Sequence, residues 1–337
     1  MRAPKKYLVI GSGSIARRHI ANIKSLYDDA RVFCISASGR AVSAEEVGAD
    51  AVYTDIEQAI TAKPDLAVVA SPAPFHAEQA ATLLKAGIPT LVEKPLSDSL
   101  GALSTFKGVL EANKDKIEVA YNLRYMPSAI KLKELLGDSI LGRVLRVTID
   151  VGQYLPDWRP STDYRLNVSA QKRLGGGVIL ELSHELDYLI WFFGSFDSAY
   201  CVTSNSGILE VDVEDGAYAI LSREDGLVAI IQMDFLQRKP ARTCKIVGEL
   251  GTLIWDVMCN SIVLRGASGE EQVLFSGPDY DRNTMYLDEI SHFSKVADGL
   301  LSPAVDIYQA MSVMELVEAL KNSSSSRKVV KVGGEHP

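Results

Sequence analysis

The segment YLVIGSGSIARRHI, beginning at Tyr7, sets the tightest limit on what this chain can fold into. A short apolar run, residues 7–10, meets Gly11-Ser12-Gly13-Ser14-Ile15-Ala16, and an amphipathic stretch, 15–26, follows at once. Strand, glycine turn and helix in that order match GxGxxA. The first glycine permits the tight turn, the second lets the backbone approach a pyrophosphate, and the small third residue lets helix and strand pack closely. The N–H groups that open the helix then point at phosphates. Gly11, Ser12, Gly13, Ser14, Ile15 and Ala16 are therefore expected to bind a dinucleotide; a glycine turn with no ligand is the alternative.

The rest of the first third keeps the same alternation. Residues 31–35, 66–70 and 90–92 read as strands, and 75–86 and 100–112 as helices, which predicts βαβ units and a parallel sheet. Gly87 suits the position after a helix end, with Pro89 beyond it. The pattern then changes, near residues 121–127. Leu145, Val147, Ile149 and Val151 alternate with Arg146, Thr148 and Asp150, a strand with one buried face. Segments 215–221 and 227–235 flank the turn-rich SREDG and form a hairpin. Strands at 243–247, 252–256, 262–264 and 272–275 continue the pattern. Helices at 286–297 and 305–320 follow, then a polar run at 322–326 expected as a flexible turn, and a last strand at 329–332. The expected fold is α/β, with a Rossmann domain over residues 1–122 and an α+β domain, mostly antiparallel, over 123–337. A length of 337 residues suits two domains.

The formal net charge of -8 argues against non-specific binding to nucleic acid or to an anionic membrane. No apolar run approaches the length of a membrane span. The basic start, MRAPKK, leads into a first strand rather than a signal peptide. Cys34, Cys201, Cys244 and Cys259 are scattered, without CxxC or metal-type spacing. Reduced, buried thiols in the cytoplasm and no bound metal are expected.

The second strand runs into Cys34-Ile35-Ser36-Ala37-Ser38-Gly39-Arg40. An NAD site usually ends this strand with an acid on the ribose 2′-hydroxyl. Here Ser36 and Ser38 can donate to a 2′-phosphate and Arg40 can pair with it, which favours NADP over NAD; a solvated loop charge is the alternative for Arg40. Ligands of such sheets sit at the carboxyl ends of the strands. Ser71, Pro72 and His76 of SPAPFH and Glu93 and Lys94 of VEKPLSD all fall there. Lys94 can bond a ribose or substrate hydroxyl and exchange a proton with it. His76 lines the nicotinamide pocket or is a surface residue at a helix start. Glu93 anchors Lys94 or ends the strand.

In GGGVILELSHELDYLIWFFG, Ile179, Leu182, Leu186, Ile190 and Phe193 form a stripe at helical spacing. Glu181, His184 and Tyr188 fall roughly opposite, and Asp187 lies one turn after His184, to the side. Such a helix is either solvated or the wall of a site. The glycines at 175–177 mark a close backbone approach or a flexible entry. Upstream, WRPSTDYR offers an aromatic face for a sugar ring and guanidinium groups for carboxylate or phosphate. Arg159, Tyr164 and Arg165 are the substrate candidates there, Trp158 being equally an anchor of the loop. Arg124 and Tyr125, near the domain junction, are candidates for the same cleft.

Taken in order, GSGSIA, SPAPFH, AGIPTLVEKPL, NLRYMP and the glycine–His–Asp helix resemble the Gfo/Idh/MocA oxidoreductases, the glucose–fructose oxidoreductase and inositol dehydrogenase group, over nearly the whole chain. The resemblance implies a large open sheet in the second domain, used for homodimer or homotetramer contacts. It implies nicotinamide-dependent oxidation or reduction of a sugar, cyclitol or nucleotide-sugar carbon. The family's EKP lysine falls on Lys94 and its catalytic histidine on His184. Many members carry an acid four residues before that histidine; here Leu180 stands there and Glu181 is three before. Counted from the glycines, Glu185 takes the histidine's place. Glu181 or Asp187 would orient the imidazole. WRPSTDYR also resembles a subgroup of surface-polysaccharide and nonulosonic-acid sugar biosynthesis. Two other classes stay open: a nicotinamide-binding sensor without redox turnover, and a lyase or glycosidase that oxidises transiently with a tightly held cofactor.

Overall fold

Strand β1 (Lys6–Ile10) is buried from Tyr7 to Ile10 on both of its faces, as the middle of a covered parallel sheet requires. In the computed structural model, which describes residues 4–36 and 39–333, it lies between β2 (Arg31–Ile35) and β4 (Leu66–Val69). With β3 (Ala51–Tyr53), β5 (Thr90–Glu93) and β6 (Ile117–Ala120) they form a six-stranded sheet in the order β3-β2-β1-β4-β5-β6, parallel throughout. This is the expected Rossmann arrangement. The short edge strand β3 and the Glu118-bearing β6 carry too little apolar signal to be read from sequence. The expected 100–112 helix is broken into Leu100–Ser104 and Lys107–Ala112. Between them the bonds tighten to three-residue spacing, Phe106 N–H to Leu103 O and Val109 N–H to Phe106 O.

The chain divides into two compact units. The first runs to Asn122 and also takes in Arg282–Met311; the second comprises Leu123–Asp281 and the chain from Ser312 onward. The returning stretch brings the Thr284–Ala297 helix against the Ser14–Leu26 helix, where Ile290, Phe293 and Val296 join Ile20 and Ile23 in one core. The expected division kept all of 123–337 in one domain. An amphipathic helix of this kind shows that it must be covered, not by which sheet.

In the second unit, β7 (Val144–Gly152), β8 (Ser198–Ser204), β9 (Gly216–Ser222), β10 (Val228–Asp234), β11 (Ala241–Gly248), β12 (Gly251–Asp256), β13 (Ser261–Gly266), β14 (Glu271–Ser276) and β15 (Val330–Lys331) form one sheet. Its order is β14-β13-β12-β11-β7-β10-β9-β8-β15. Neighbours are antiparallel except β7 and β10. Val147, Ile149 and Val151 are buried in alternation, as expected, but Leu145 is exposed. The register against β11 shifts at Val247/Gly248, which ends the alternation before Leu145. The other face of β8 and β9 leaves Tyr200, Val202, Tyr218 and Ile220 exposed, with Tyr200 opposite Ile220 and Val202 opposite Tyr218.

The polar run at 322–326 is helical, the end of the Ile307–Ser326 helix, and not a flexible turn. Its serines bond to β8: the Ser323 hydroxyl accepts from Cys201 N–H and the Ser324 hydroxyl from Thr203 N–H. β15 pairs only with Ser198 and Ala199, so beyond it β8 is a border of the sheet, and the hydroxyls cover donors it would otherwise expose. Cys34, Cys201 and Cys244 are buried free thiols, whereas Cys259, expected inside, is exposed. Among the described residues no helix is long and apolar enough to cross a membrane.

Candidate functional site

Gly11 has a φ of +131°, and a Cβ built on it would stand 2.5 Å from Ala70 O. It lets the ends of β1 and β4 meet the helix that carries the buried Ala16. Gly13 differs: nothing lies within 4 Å of a Cβ placed there. It begins the Ser14–Leu26 helix without any side-chain cap, and no acid stands in the first turn. Free N–H donors, the positive end of a helix and open space over Gly13 are what a pyrophosphate needs. The residues present fit a dinucleotide.

Ser12 and Ser36 bring the turn and the end of β2 together, their hydroxyl oxygens 3.4 Å apart. Ser38 lies outside the described residues. Arg40 is ion-paired with Glu46 at 2.7 Å, and Arg17 reaches the same carboxylate oxygen at 2.9 Å. Arg40 and then Arg17 hold the Glu46 carboxyl below its usual range. An acid does neighbour this corner, but the Ala44–Val47 helix supplies it, several residues beyond the end of β2.

At the carboxyl ends of β4 and β5, the side chains divide into those turned in and those left at the surface. Ser71 donates to Gln79 Oε1 at 2.7 Å. His76, expected to line a pocket or the surface, is buried, with Nε2 2.7 Å from Ser71 O and Nδ1 2.7 Å from Pro95 O. Burial pulls its pKa down, and the two carbonyls oppose that by favouring a proton on each nitrogen. Glu93 is buried as well. Its Oε1 bonds His19 Nε2 at 2.8 Å and its Oε2 accepts the Lys94 N–H at 3.2 Å. Burial alone would raise its pKa; the His19 bond, with the nearby Lys94 charge, holds it below the usual carboxylate range. Lys94 itself is partly exposed between buried Glu93 and Pro95, and the Lys94–Pro95 peptide is cis.

Glu289, on the Thr284–Ala297 helix, was not singled out by sequence. It is fully buried, and neither carboxyl oxygen has a hydrogen-bond partner. Burial, then the nearby Glu93 and Glu118 carboxylates, push its pKa well up. The native carboxyl keeps its proton at a pH where the unfolded one has lost it, so stability falls as pH rises until Glu289 ionises in place. Glu289→Gln is expected to remove that slope. Its gain over the parent should grow as pH rises above the ordinary carboxyl range. Urea unfolding of both proteins from pH 5 to 8 measures it; a difference that does not change with pH would show that Glu289 is ionised in the fold.

In the second unit the glycine helix is two helices, Val178–Glu181 and Ser183–Phe193, broken at Leu182. Built Cβ atoms on Gly176 and Gly177 would stand 2.4 Å from Val168 O and from the Glu214 carboxylate. The glycines mark close packing, not a flexible entry. Glu214 accepts the Ile179 N–H at 3.3 Å, and burial raises its pKa. Glu181 and His184 are partly exposed. Tyr188, expected on the same face, is instead fully buried against Phe192 and Trp255, with ring centroids 5.8 and 5.0 Å away. Glu185 is turned inward and grips Arg242 at 2.6 Å. Asp187 is buried and takes Arg124 in a two-pronged bond, 3.0 Å from Nε and 2.7 Å from Nη2. Burial pushes the Asp187 carboxyl up and Arg124 pulls it back; the forked geometry is that of an ionised carboxylate. Asp187, proposed to orient the imidazole, and Arg124, proposed for substrate, are thus bound to each other below the surface.

Tyr125 is partly exposed and Arg159 is exposed. Tyr164 donates to Leu209 O at 2.9 Å. Arg165 is held by Asp163 at 3.0 Å and Glu210 at 2.9 Å. Trp158 donates to Gln153 O and packs edge-on against Phe235, so it anchors its loop.

Residues 5–121 match the model of a family described as an oxidoreductase family with an NAD-binding Rossmann fold. Residues 129–254 match the GFO/IDH/MocA C-terminal domain. Inositol 2-dehydrogenase 2 of Saccharopolyspora erythraea is 26% identical over 255 residues, 73% of this chain and 71% of that protein. Levoglucosan dehydrogenase, solved with NADH and levoglucosan, superposes with a TM-score of 0.83 at 20% identity, covering 98% of this chain and 100% of the other. The WlbA dehydrogenase from Bordetella pertussis, solved with NADH and UDP-GlcNAcA, superposes at 0.82 and 19% identity, covering 98% and 100%.

Proposed function

Because this chain belongs to the GFO/IDH/MocA family of oxidoreductases, in both its N-terminal and its C-terminal domain, we propose that it transfers a hydride between a nicotinamide cofactor and a CH–OH or carbonyl carbon of a sugar, cyclitol or nucleotide sugar. The observation that carries this is the uncapped helix start at Gly13, with open space above it. Gly13, Ser14 and Ile15 would hold the pyrophosphate through their backbone, with Ser12 and Ser36 toward the ribose. Arg40 and Arg17 supply cations for a 2′-phosphate, which favours NADP over NAD. The bound nicotinamide gives or accepts the hydride. Lys94 holds and polarises the substrate oxygen, and His184 takes or returns its proton, with Glu181 as the neighbouring acid. Tyr125, Arg159, Tyr164 and Arg165 are proposed for the sugar. Arg165, already facing two carboxylates, suits an acidic group that exchanges with them.

The relatives act on, or are solved with, polyols, an anhydrosugar and a nucleotide sugar acid, so those are the compounds to try. The four free cysteines suit a cytoplasmic setting, and the exposed apolar pairs of β8 and β9 suit a homo-oligomer formed through the sheet. In a thermal-shift panel NADP should raise the melting temperature more than NAD, since ligand at a hundred times its Kd adds about 2.7 kcal/mol. The same panel, followed at the reduced-nicotinamide absorbance band, should show stoichiometric change with at least one polyol or nucleotide sugar. Product formed without net absorbance change would favour the lyase class, and cofactor binding without product across the panel the sensor class.

A further inference from the structure

Lys94 is fastened on both sides by buried histidines that come from helices. On one side His19, from the glycine-turn helix, bonds the Glu93 carboxylate at 2.8 Å, and the other oxygen of that carboxylate accepts the Lys94 amide. On the other side His76, the first residue of the His76–Lys85 helix, lies 2.7 Å from the Pro95 carbonyl oxygen. His19 is fully buried, edge-on to the Tyr286 ring at 6.3 Å, and its Nδ1 has no hydrogen-bond partner, so the Glu93 bond is what holds its polar edge. Surface strand ends rarely receive such support, because burying two imidazoles and a carboxylate is costly unless each is bonded. What the bonds fix is the backbone of residues 93–95, and Lys94 alone in that stretch is partly exposed.

We propose that His19, acting through Glu93, is a positioning residue for Lys94, with His76 as the second fastening through Pro95. The inference rests on the catalytic role given to Lys94 above, and it adds a physical link: the helix that would receive the cofactor phosphates also sets the place of the lysine. A group held within a fraction of an ångström by bonded neighbours keeps its reactive geometry, and small misplacements are costly in rate.

The test compares His19→Leu, His19→Gln and Glu93→Gln with the parent. Hydrogen exchange of the cofactor-free protein is read over residues 91–97. His19→Leu should exchange there at least about tenfold faster, and His19→Gln, whose amide can still donate to Glu93, should stay near the parent. With the substrate found by the panel, kcat should fall about 10–100-fold in His19→Leu at unchanged cofactor Kd, and recover in His19→Gln. If His19→Leu does not fold, Glu93→Gln gives the answer: it keeps the shape, weakens the His19 bond, and should lose more kcat than His19→Gln. Parent-like exchange over 91–97, equal losses in the Gln variants, or a weaker cofactor Kd with kcat intact would overturn the proposal. A Lys94→Ala variant with parent-like turnover would overturn the role of Lys94 instead, and would leave the exchange result standing.

Discussion

Lys94→Ala and His184→Ala should each lower kcat about 10²–10⁴-fold, the range for loss of a positioned acid–base or polarising group. Cofactor Kd should stay within a few-fold of the parent in His184→Ala, because the donors offered to the phosphates are backbone N–H groups of the glycine turn. Both side chains are partly exposed while their chain neighbours Glu93, Pro95, Ser183 and Glu185 are buried, so either can be truncated without opening a core. Stability should therefore change little. Stopped-flow hydride transfer at saturating substrate separates the two roles. Loss of a proton acceptor should be relieved at high pH in the oxidation direction for His184→Ala; loss of the Lys94 charge should not. Near-normal turnover in both variants, with a substrate that the parent turns over, would end the assignment.

Asp187→Ala should be among the most damaging single changes to the fold, costing about 3–5 kcal/mol. The pair it makes with Arg124 is almost wholly removed from water, with side-chain exposures of 1% and 4%. Removing the carboxylate takes the opposite charge away from a buried guanidinium that lies 5.4 Å from the Trp191 ring centroid and cannot lose its proton. Replacing both partners by apolar residues of similar volume should recover much of the loss, because the desolvation cost leaves with the charges. Urea or guanidinium unfolding, followed by the near-ultraviolet signal of the Trp191 and Trp255 region, reads both. The opposite result, a stable Asp187→Ala protein with depressed kcat, would return Asp187 to the role of orienting His184.

Much of this was legible because the strongest signals are local. The glycine turn states its own geometry, and alternation in 145–151 states which face is buried. Periodicity failed where one helix has more than one covered side. Tyr188 and Asp187 sit at positions that a single apolar stripe leaves open, yet Trp255 covers the first and Arg124 the second. Nothing in a short window names a partner more than sixty residues away. The same limit hid His19, which reads as one more residue in a basic run, RRH, until β5 brings Glu93 beside it. Glu93 of VEKPLSD reads from sequence as an anchor of Lys94 or as the end of the strand. It now has a definite place: one oxygen on His19, the other on the amide of the lysine that follows.

The serine hydroxyls laid along β8 bear on how this molecule can assemble. A strand border with open donors recruits further strands, and recruitment of that kind has no natural end point. Here Ser323 and Ser324 answer the Cys201 and Thr203 amides from within the same chain. Lateral growth from that border is discouraged, while the broad side carrying Tyr200, Val202, Tyr218 and Ile220 is left available. Two copies joined through the same patch on each are related by a twofold rotation, which closes on itself. The serines thus leave the homo-oligomer proposed above to form through the broad side rather than by strand addition at this border.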